Sequence, residues 1–172
     1  MPDDHGRERN LIRSKLFPPQ PPSGPVVRAR LLDRLNEASV RPITLISAPA
    51  GYGKTTLAVQ WLPRCPWKAA WICIDPADND PERFLRYLVG AMRTVLPDCL
   101  PRSAALLDAA SRPPWSYLSE TLVSELGELH ERVVLVFDDW HAIVSDPVRE
   151  LVRDLVESLA REPRRVGEVG RK

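Results

Sequence analysis

Three features of the sequence predict an α/β fold in which a parallel β-sheet is packed between layers of helices. Short apolar runs suited to buried strands alternate with longer segments whose apolar residues recur at helical spacing. One apolar run leads through a glycine-containing loop into a helix, and another ends in two acidic residues. The 172 residues are enough for one compact domain, and no internal repeat is visible.

Proline and aspartate residues mark the boundaries of the predicted elements. The Pro-rich residues 1–25 are expected to form an extended lead-in, 26–162 the domain, and 163–172 an unstructured tail. The predicted strands are 43–46, 69–74 and 133–137. The predicted helices are 28–36, 54–62, 81–96, 117–129 and 147–161, and residues 97–115 are expected to be irregular.

The loop from Ala48 to Thr55 reads APAGYGKT, which matches the phosphate-binding pattern GxxxxGK(S/T) with alanine at the first glycine. Gly51 and Gly53 let backbone N–H groups approach phosphate oxygens, and the start of the following helix favours an anion. Lys54 is predicted to reach the β and γ phosphates, and Thr55 to bind Mg²⁺. The sequence therefore predicts a three-layer P-loop NTPase that binds a nucleoside triphosphate with Mg²⁺. Its predicted nucleotide-binding residues are Ala50, Gly51, Tyr52, Gly53, Lys54, Thr55 and Thr56.

The apolar run 133–137 ends at Asp138 and Asp139. In a P-loop protein the acid at the end of such a strand holds the magnesium, so Asp138 is predicted to be a metal ligand together with Thr55. Asp139 and Lys54 are the predicted catalytic residues. Asp139 would orient or deprotonate the attacking water; the alternative is that Asp139 is only a solvated neighbour of Asp138. His141 is better interpreted as a structural histidine than as a sensor of the γ-phosphate.

Composition excludes several classes of protein. The net charge of +1 gives no basic surface for direct nucleic-acid binding. No window resembles a membrane span or a signal peptide, so a cytoplasmic protein is expected. Cys65, Cys73 and Cys99 lack the spacing of a disulfide framework or a zinc site, and they are interpreted as small buried hydrophobic residues.

Together, these motifs resemble the STAND-class, AAA-like ATPase domain of the large LuxR-type, maltose-regulator-like transcription regulators. The segments that carry the resemblance are VVRARLLDRL, ITLISAPAGYGKTTLAVQWL, AAWICIDPADNDPERFLRYL and VVLVFDDWHAI. The resemblance implies an ATP or ADP switch that hydrolyses slowly and self-associates when inducer and ATP are present. It places Arg28 near the nucleotide base, although a solvated Arg28 explains the residue equally well. It also assigns Asp78, Asn79 and Asp80 to a family signature whose chemical role does not follow from the sequence.

The resemblance also implies that the chain is incomplete at its C-terminus. Family members continue into a further apolar strand that ends in a polar sensor, then into effector and DNA-binding domains, where this sequence has EPRRVGEVGRK. In that class the further strand lies between the P-loop strand and the strand that ends at Asp138. Backbone groups left unpaired there would each cost about 1–3 kcal/mol.

Two other functions remain open. The chain could be a truncated, non-catalytic remnant or an interaction module, which the missing central strand favours. A small-molecule P-loop kinase is the third hypothesis. It is disfavoured because paired acids suit water activation and because no Arg-rich lid follows the second strand.

Overall fold

A computed structural model describes residues 11–20, 24, 26–39, 41–111 and 113–161. Within these ranges the chain has an α/β fold of six α-helices and two parallel strands. None of the described helices is both long and apolar enough to cross a membrane. The predicted tail at 163–172 lies outside the described residues. The elements are α1 (Ala29–Ala38), α2 (Lys54–Trp61), β1 (Lys68–Cys73), α3 (Pro81–Val95), α4 (Pro101–Leu107), α5 (Trp115–Gly127), β2 (Val133–Asp138) and α6 (Asp146–Arg161).

The two strands lie side by side, and their register pairs Cys73 with Asp138 at the carboxyl end of the sheet. Successive side chains of a strand point to opposite faces. In β2, Val133 and Leu135 pack against the main hydrophobic core, whereas Val134 packs against a second, smaller core. Apolar side chains therefore cover both faces of β2.

The main core is formed by apolar side chains from both strands and from α3 to α6. α3 supplies the deepest residues, among them Phe84 and Leu88, which are fully buried. The second core joins α1 to α2 through Leu32, Leu57 and Trp61. Since α2 follows directly on the glycine loop, the second core fixes that loop relative to the sheet.

The prediction of a strand at 43–46 is wrong for the described structure. Ile43 and Leu45 are 58% and 79% exposed, and of this run Ile46 alone packs against the second core. A strand exists only when a neighbour pairs with its backbone groups. Among the described residues, β2 pairs with β1 and with no other segment. The run therefore leads to the loop without joining the sheet.

The lead-in is also more ordered than predicted. Arg13–Leu16 form a turn of 3₁₀-helix in which Lys15 and Leu16 are buried. The Lys15 ammonium donates to the carboxylates of Asp78 and Asp75, the latter at 2.9 Å, and this hydrogen bond lowers the pKa of Asp75. Proline content predicted extended backbone, but the buried ion pairs hold this part of the lead-in against the domain.

Helix α4 lies within residues that were predicted to be irregular. No side chain caps it from Leu100, the residue before it. Glu125 of α5 instead accepts hydrogen bonds from the backbone N–H of Arg102 and of Ser103, each at 2.7 Å, and from the Ser103 hydroxyl at 2.5 Å. The N-terminus of α4 is thus capped by a residue more than twenty positions away, which local sequence patterns do not reveal.

We expect Glu125→Gln to destabilise the fold and to flatten its pH dependence. Burial raises the pKa of Glu125, but the hydrogen bonds from Ser103 and Arg102 outweigh it and lower the pKa below its ordinary value. A depressed pKa adds stability above the pKa of the unfolded chain, and this contribution is lost as the pH falls through the folded pKa. Urea unfolding near neutral pH should show a loss of about 1–3 kcal/mol. Equal slopes of stability against acid pH in wild type and variant would contradict the assignment.

Candidate functional site

The glycine loop adopts the backbone conformation that its motif predicts. Gly51 and Gly53 have φ values of 79° and 77°, in the left-handed region that side chains disfavour. Gly53 is the N-cap residue of α2, so the loop ends directly at a helix N-terminus. Ala50 and Tyr52 are exposed in the turn around Gly51. Backbone N–H groups and a helix N-terminus are therefore available on one exposed surface for an anion.

Two cations lie against this loop. The Lys54 ammonium donates to the backbone carbonyls of Ala48 at 2.9 Å and Pro49 at 3.1 Å, so its side chain folds back over the loop. The Arg28 guanidinium, from the residue preceding α1, donates to the carbonyl of Tyr52 at 3.2 Å. The structure thus brings Arg28 to the loop, and its position near a nucleotide base stays a prediction of the resemblance.

A hydrogen bond joins the loop to the acidic end of β2. The Thr55 hydroxyl donates to the Asp138 carboxylate, with 2.8 Å between the two oxygens. These residues lie 83 positions apart in the sequence and were each predicted to bind Mg²⁺. Thr56, the next residue of α2, is half-buried beside Gly53. The fold therefore assembles the two predicted metal ligands into one site.

The acidic end of β2 is held by a tight turn. Asp139 has φ 58°, a left-handed conformation that aspartate tolerates better than most residues. Trp140, which follows it, packs on Phe84 and Phe137 with ring centroids 6.3 and 5.5 Å away. His141 is exposed, and its Nδ1 lies 3.8 Å from a carboxylate oxygen of Asp139. Aromatic packing thus fixes the backbone that presents both acids.

Burial and neighbouring negative charges raise the pKa values of two groups at the acidic end of β2. Burial raises the pKa of Asp138; the Thr55 hydrogen bond opposes that effect and the charge of Asp139 adds to it. Burial also raises the pKa of the neighbouring Cys73 thiol, with Asp138 and Asp139 adding to it. A cation bound here would offset both the burial and the repulsion.

The donors at this site suit the magnesium ion that the motifs imply. Mg²⁺ prefers hard oxygen ligands and is usually held by one or two protein oxygens together with phosphate oxygens. The Thr55 hydroxyl and the Asp138 carboxylate are two such donors in contact. Thr55 and Asp138 are therefore the residues that would hold the ion beside a nucleotide.

Comparison with known proteins identifies the family. The HTH-type transcriptional regulator MalT of Serratia proteamaculans is 38% identical over 143 residues, which is 83% of this chain and 16% of the relative. MalT of Vibrio cholerae is 35% identical over 142 residues, again 83% of this chain and 16% of the relative. MalT of Yersinia enterocolitica is 38% identical over 143 residues, with the same shares of both chains. The chain belongs to the MalT-like family of large LuxR-type regulators.

The chain spans about 16% of the length of the curated MalT proteins that it matches. No protein-family model matches it.

In this MalT-like chain, the structure assigns a packing role to each acid of the signature DND. Asp80 caps α3 by accepting from the backbone N–H of Arg83 at 2.7 Å. Asp78 is fully buried and accepts from Lys15 and, at 3.1 Å, from the Arg83 side chain. The Tyr87 ring lies 4.3 Å from the Lys15 ammonium, which adds a cation–π contact.

Asn79 connects the signature to the turn after β2. Its amide nitrogen donates to the carbonyl of Ala142 at 2.8 Å, and its amide oxygen accepts from the backbone N–H of Val144 and Ser145 at 2.7 and 2.8 Å. These bonds hold the segment that follows Asp138 and Asp139. Sequence reasoning missed this role because the partners lie more than sixty residues away.

Cys73 is the other residue that sequence reasoning missed. It was interpreted as a buried hydrophobic residue, but it is half-buried at the end of β1 and its sulfur lies within 4.8 Å of the carboxylates of Asp138 and Asp139. Its position as the last residue of a strand was the available signal, because the carboxyl ends of parallel strands meet at one edge.

Proposed function

We propose that the chain is the ATP-binding segment of a nucleotide switch in a LuxR-type transcription regulator. The observation that carries the proposal is the 2.8 Å hydrogen bond between Thr55 and Asp138. Two motifs that were predicted separately from the sequence meet at the atoms through which P-loop proteins hold magnesium. Membership of the MalT-like family supports the same interpretation.

In this proposal the glycine loop binds the phosphates. Backbone N–H groups of the loop and of the start of α2 would donate to the phosphate oxygens, and Lys54 would exchange its bonds to Ala48 and Pro49 for phosphate oxygens. Arg28, which is bonded to the loop through the carbonyl of Tyr52, is proposed to lie near the base. Magnesium would neutralise the phosphate charge from Thr55 and Asp138.

The proposal includes a three-layer P-loop fold. The packing of alternate β2 side chains into two separate cores supports it, because α1 and α2 belong to one core and α3 to α6 belong to the other. Helices on both faces of a parallel sheet are the arrangement of P-loop proteins.

Hydrolysis, if the chain turns ATP over, is assigned to Asp139. Its carboxylate is half-exposed and next to the metal ligand Asp138, which suits the acceptance of a proton from an attacking water. Lys54 would stabilise the charge that develops on the γ-phosphate. We expect turnover to be slow, because in a switch the nucleotide biases a conformational equilibrium and is not consumed as a metabolic substrate.

Transcription regulation is proposed for the regulator as a whole. The relatives are named as HTH-type transcriptional regulators, and this chain matches 16% of their length. DNA binding and self-association are therefore proposed for other parts of such a regulator, in the cytoplasm. The near-neutral charge of this chain agrees with a segment that does not itself bind nucleic acid.

The proposal is tested by calorimetric titration of the purified chain with ATP, ADP and AMP in Mg²⁺ buffer. ATP and ADP should bind, and AMP should bind at least about tenfold more weakly, because the loop is directed at the β and γ phosphates. Chelating Mg²⁺ should weaken ATP binding in wild type and change little in Asp138→Asn. Absence of ATP binding, or equal binding of AMP, would favour the alternative of a non-catalytic remnant or interaction module.

A further inference from the structure

Three potential metal ligands from both strands meet at the carboxyl end of the sheet. The Cys73 sulfur and one oxygen each of Asp138 and Asp139 all lie within 4.8 Å of one another. Cys73 and Asp138 are direct partners in the parallel ladder, so their side chains lie on the same face of the sheet. This cluster is distinct in composition from the all-oxygen pair that would hold magnesium.

The backbone beneath the cluster is fixed by several contacts. The N–H of Ile74, directly after Cys73, donates to the carbonyl of Asp138 at 2.9 Å. The packing of Trp140 on Phe84 holds the turn that presents Asp139. Metal ligands on strand ends with such support keep their relative positions, which favours binding of an ion.

A fourth ligand stands next to the cluster. The imidazole of His141 is 81% exposed, and its Nδ1 lies 3.8 Å from an oxygen of Asp139. An exposed side chain can rotate to complete a coordination shell at small cost. Sulfur, imidazole nitrogen and two carboxylate oxygens are donors that Zn²⁺ and Co²⁺ accept, whereas Mg²⁺ takes oxygen.

We propose that Cys73, Asp138 and Asp139, with His141 as the fourth ligand, bind one thiophilic divalent cation of the Zn²⁺ class. Ligand atoms around tetrahedral zinc lie roughly 3.5 Å apart. The ligand atoms of Cys73, Asp138 and Asp139 lie within 4.8 Å of one another, so small side-chain adjustments bring them to that spacing, and His141 completes the shell by rotating its exposed side chain. The site reverses the sequence expectation for Cys73, because its ligands come together through strand register and not through a CxxC spacing.

This site does not depend on nucleotide binding, but it shares Asp138 with the proposed magnesium site. A thiophilic ion bound to Asp138 would withdraw that carboxylate from magnesium. The two ions therefore compete, and Zn²⁺ should weaken the binding of Mg-ATP to wild type while affecting Cys73→Ser much less. Nucleotide binding measured without added Zn²⁺ is independent of this outcome, so the two proposals can fail separately.

Cobalt spectroscopy tests the site directly. Co²⁺ added to the metal-free, reduced chain should produce an intense thiolate-to-cobalt charge-transfer band in the near ultraviolet, and Zn²⁺ should bleach it. Cys73→Ser should abolish the band, and Asp139→Asn should lower the Co²⁺ affinity by at least roughly tenfold, since even the loss of an outer-shell partner costs that much. Cys65→Ser is the matched control, because Cys65 is also half-buried; it should leave the band unchanged.

A measurement on the unmodified chain covers the case in which Cys73→Ser fails to fold. Zn²⁺ should slow the alkylation of Cys73, read out by peptide mass, without slowing that of Cys65, and Mg²⁺ should not replace it. Absence of the band in wild type, its loss in Cys65→Ser, or equal alkylation of Cys73 with and without Zn²⁺ would overturn the proposal.

Discussion

Asp78→Ala is expected to lower the free energy of unfolding by about 3–5 kcal/mol, the usual cost of removing one partner from a buried ion pair. Asp78 is fully buried and accepts from the ammonium of Lys15, a residue that is 8% exposed, and from the Arg83 guanidinium. Without Asp78, the Lys15 charge keeps a single carboxylate partner, the partly exposed Asp75. Since total stability is typically about 5–15 kcal/mol, the variant should be close to unfolding at room temperature.

Urea unfolding followed by tryptophan fluorescence measures this loss, with Asp80→Ala as the matched control. Asp80 is exposed and caps α3 through one hydrogen bond, so its removal should cost about 1 kcal/mol. Adding Lys15→Met to Asp78→Ala should recover part of the stability, because it removes a buried charge whose only remaining carboxylate partner is the partly exposed Asp75. Equal losses for Asp78→Ala and Asp80→Ala would show that the buried ion cluster does not hold the lead-in to the domain.

Lys54→Ala is expected to weaken ATP binding by about 10–150-fold, from the roughly 1.5–3 kcal/mol of a hydrogen bond to a charged group. Its ammonium already lies over the loop, bonded to two backbone carbonyls, and can move to phosphate oxygens without reorganising the fold. Because Lys54 is only half-buried, the free energy of unfolding of the nucleotide-free chain should change little. Calorimetric titration with Mg-ATP measures the affinity, and thermal unfolding without ATP measures the stability.

Lys68→Ala is the control for general loss of positive charge. Lys68 is half-exposed at the start of β1, where it pairs with Glu131 at 2.7 Å. The glycine loop lies at the opposite end of the sheet, where Thr55 bonds to Asp138. Its removal should leave ATP affinity unchanged. If Lys68→Ala and Lys54→Ala weaken ATP binding equally, the role assigned to Lys54 is wrong.

Five of the six described helices, all except α4, were predictable from sequence because their signals are local. α3 shows this best: Asp80 caps it, Pro81 begins it, and its apolar stripe faces the main core. β1 and β2 were likewise predicted to within a residue at most boundaries, since continuous β-branched and aromatic runs favour buried strands. Local composition is therefore enough to predict such elements.

The prediction failed where structure depends on distant partners. The run at 43–46 has the composition of a strand, but a strand requires a paired neighbour, and the described residues supply none. α4 forms in a Pro-rich stretch because Glu125, far along the chain, caps it. The burial of Lys15 depends in the same way on Asp78, sixty-three residues later.

For the candidate site, sequence motifs supplied the residues and the structure supplied their distances. The loop, Thr55 and Asp138 were predicted separately, and the contact between the last two became visible only in three dimensions. Cys73 and Asn79 belong to no recognised metal or catalytic motif in the sequence. Their contacts come from strand register and from the path of the turn after β2.

The central claim is that ATP binds through the glycine loop, and amide NMR of the chain during titration with Mg-ATP tests it most directly. The backbone N–H signals of Gly51, Gly53 and Lys54 should shift together and saturate with one affinity, because these groups would donate to phosphate oxygens. The backbone N–H signals of α4 should keep their chemical shifts. Saturating ATP that leaves the loop amides unmoved, or that shifts a different surface, would contradict the account.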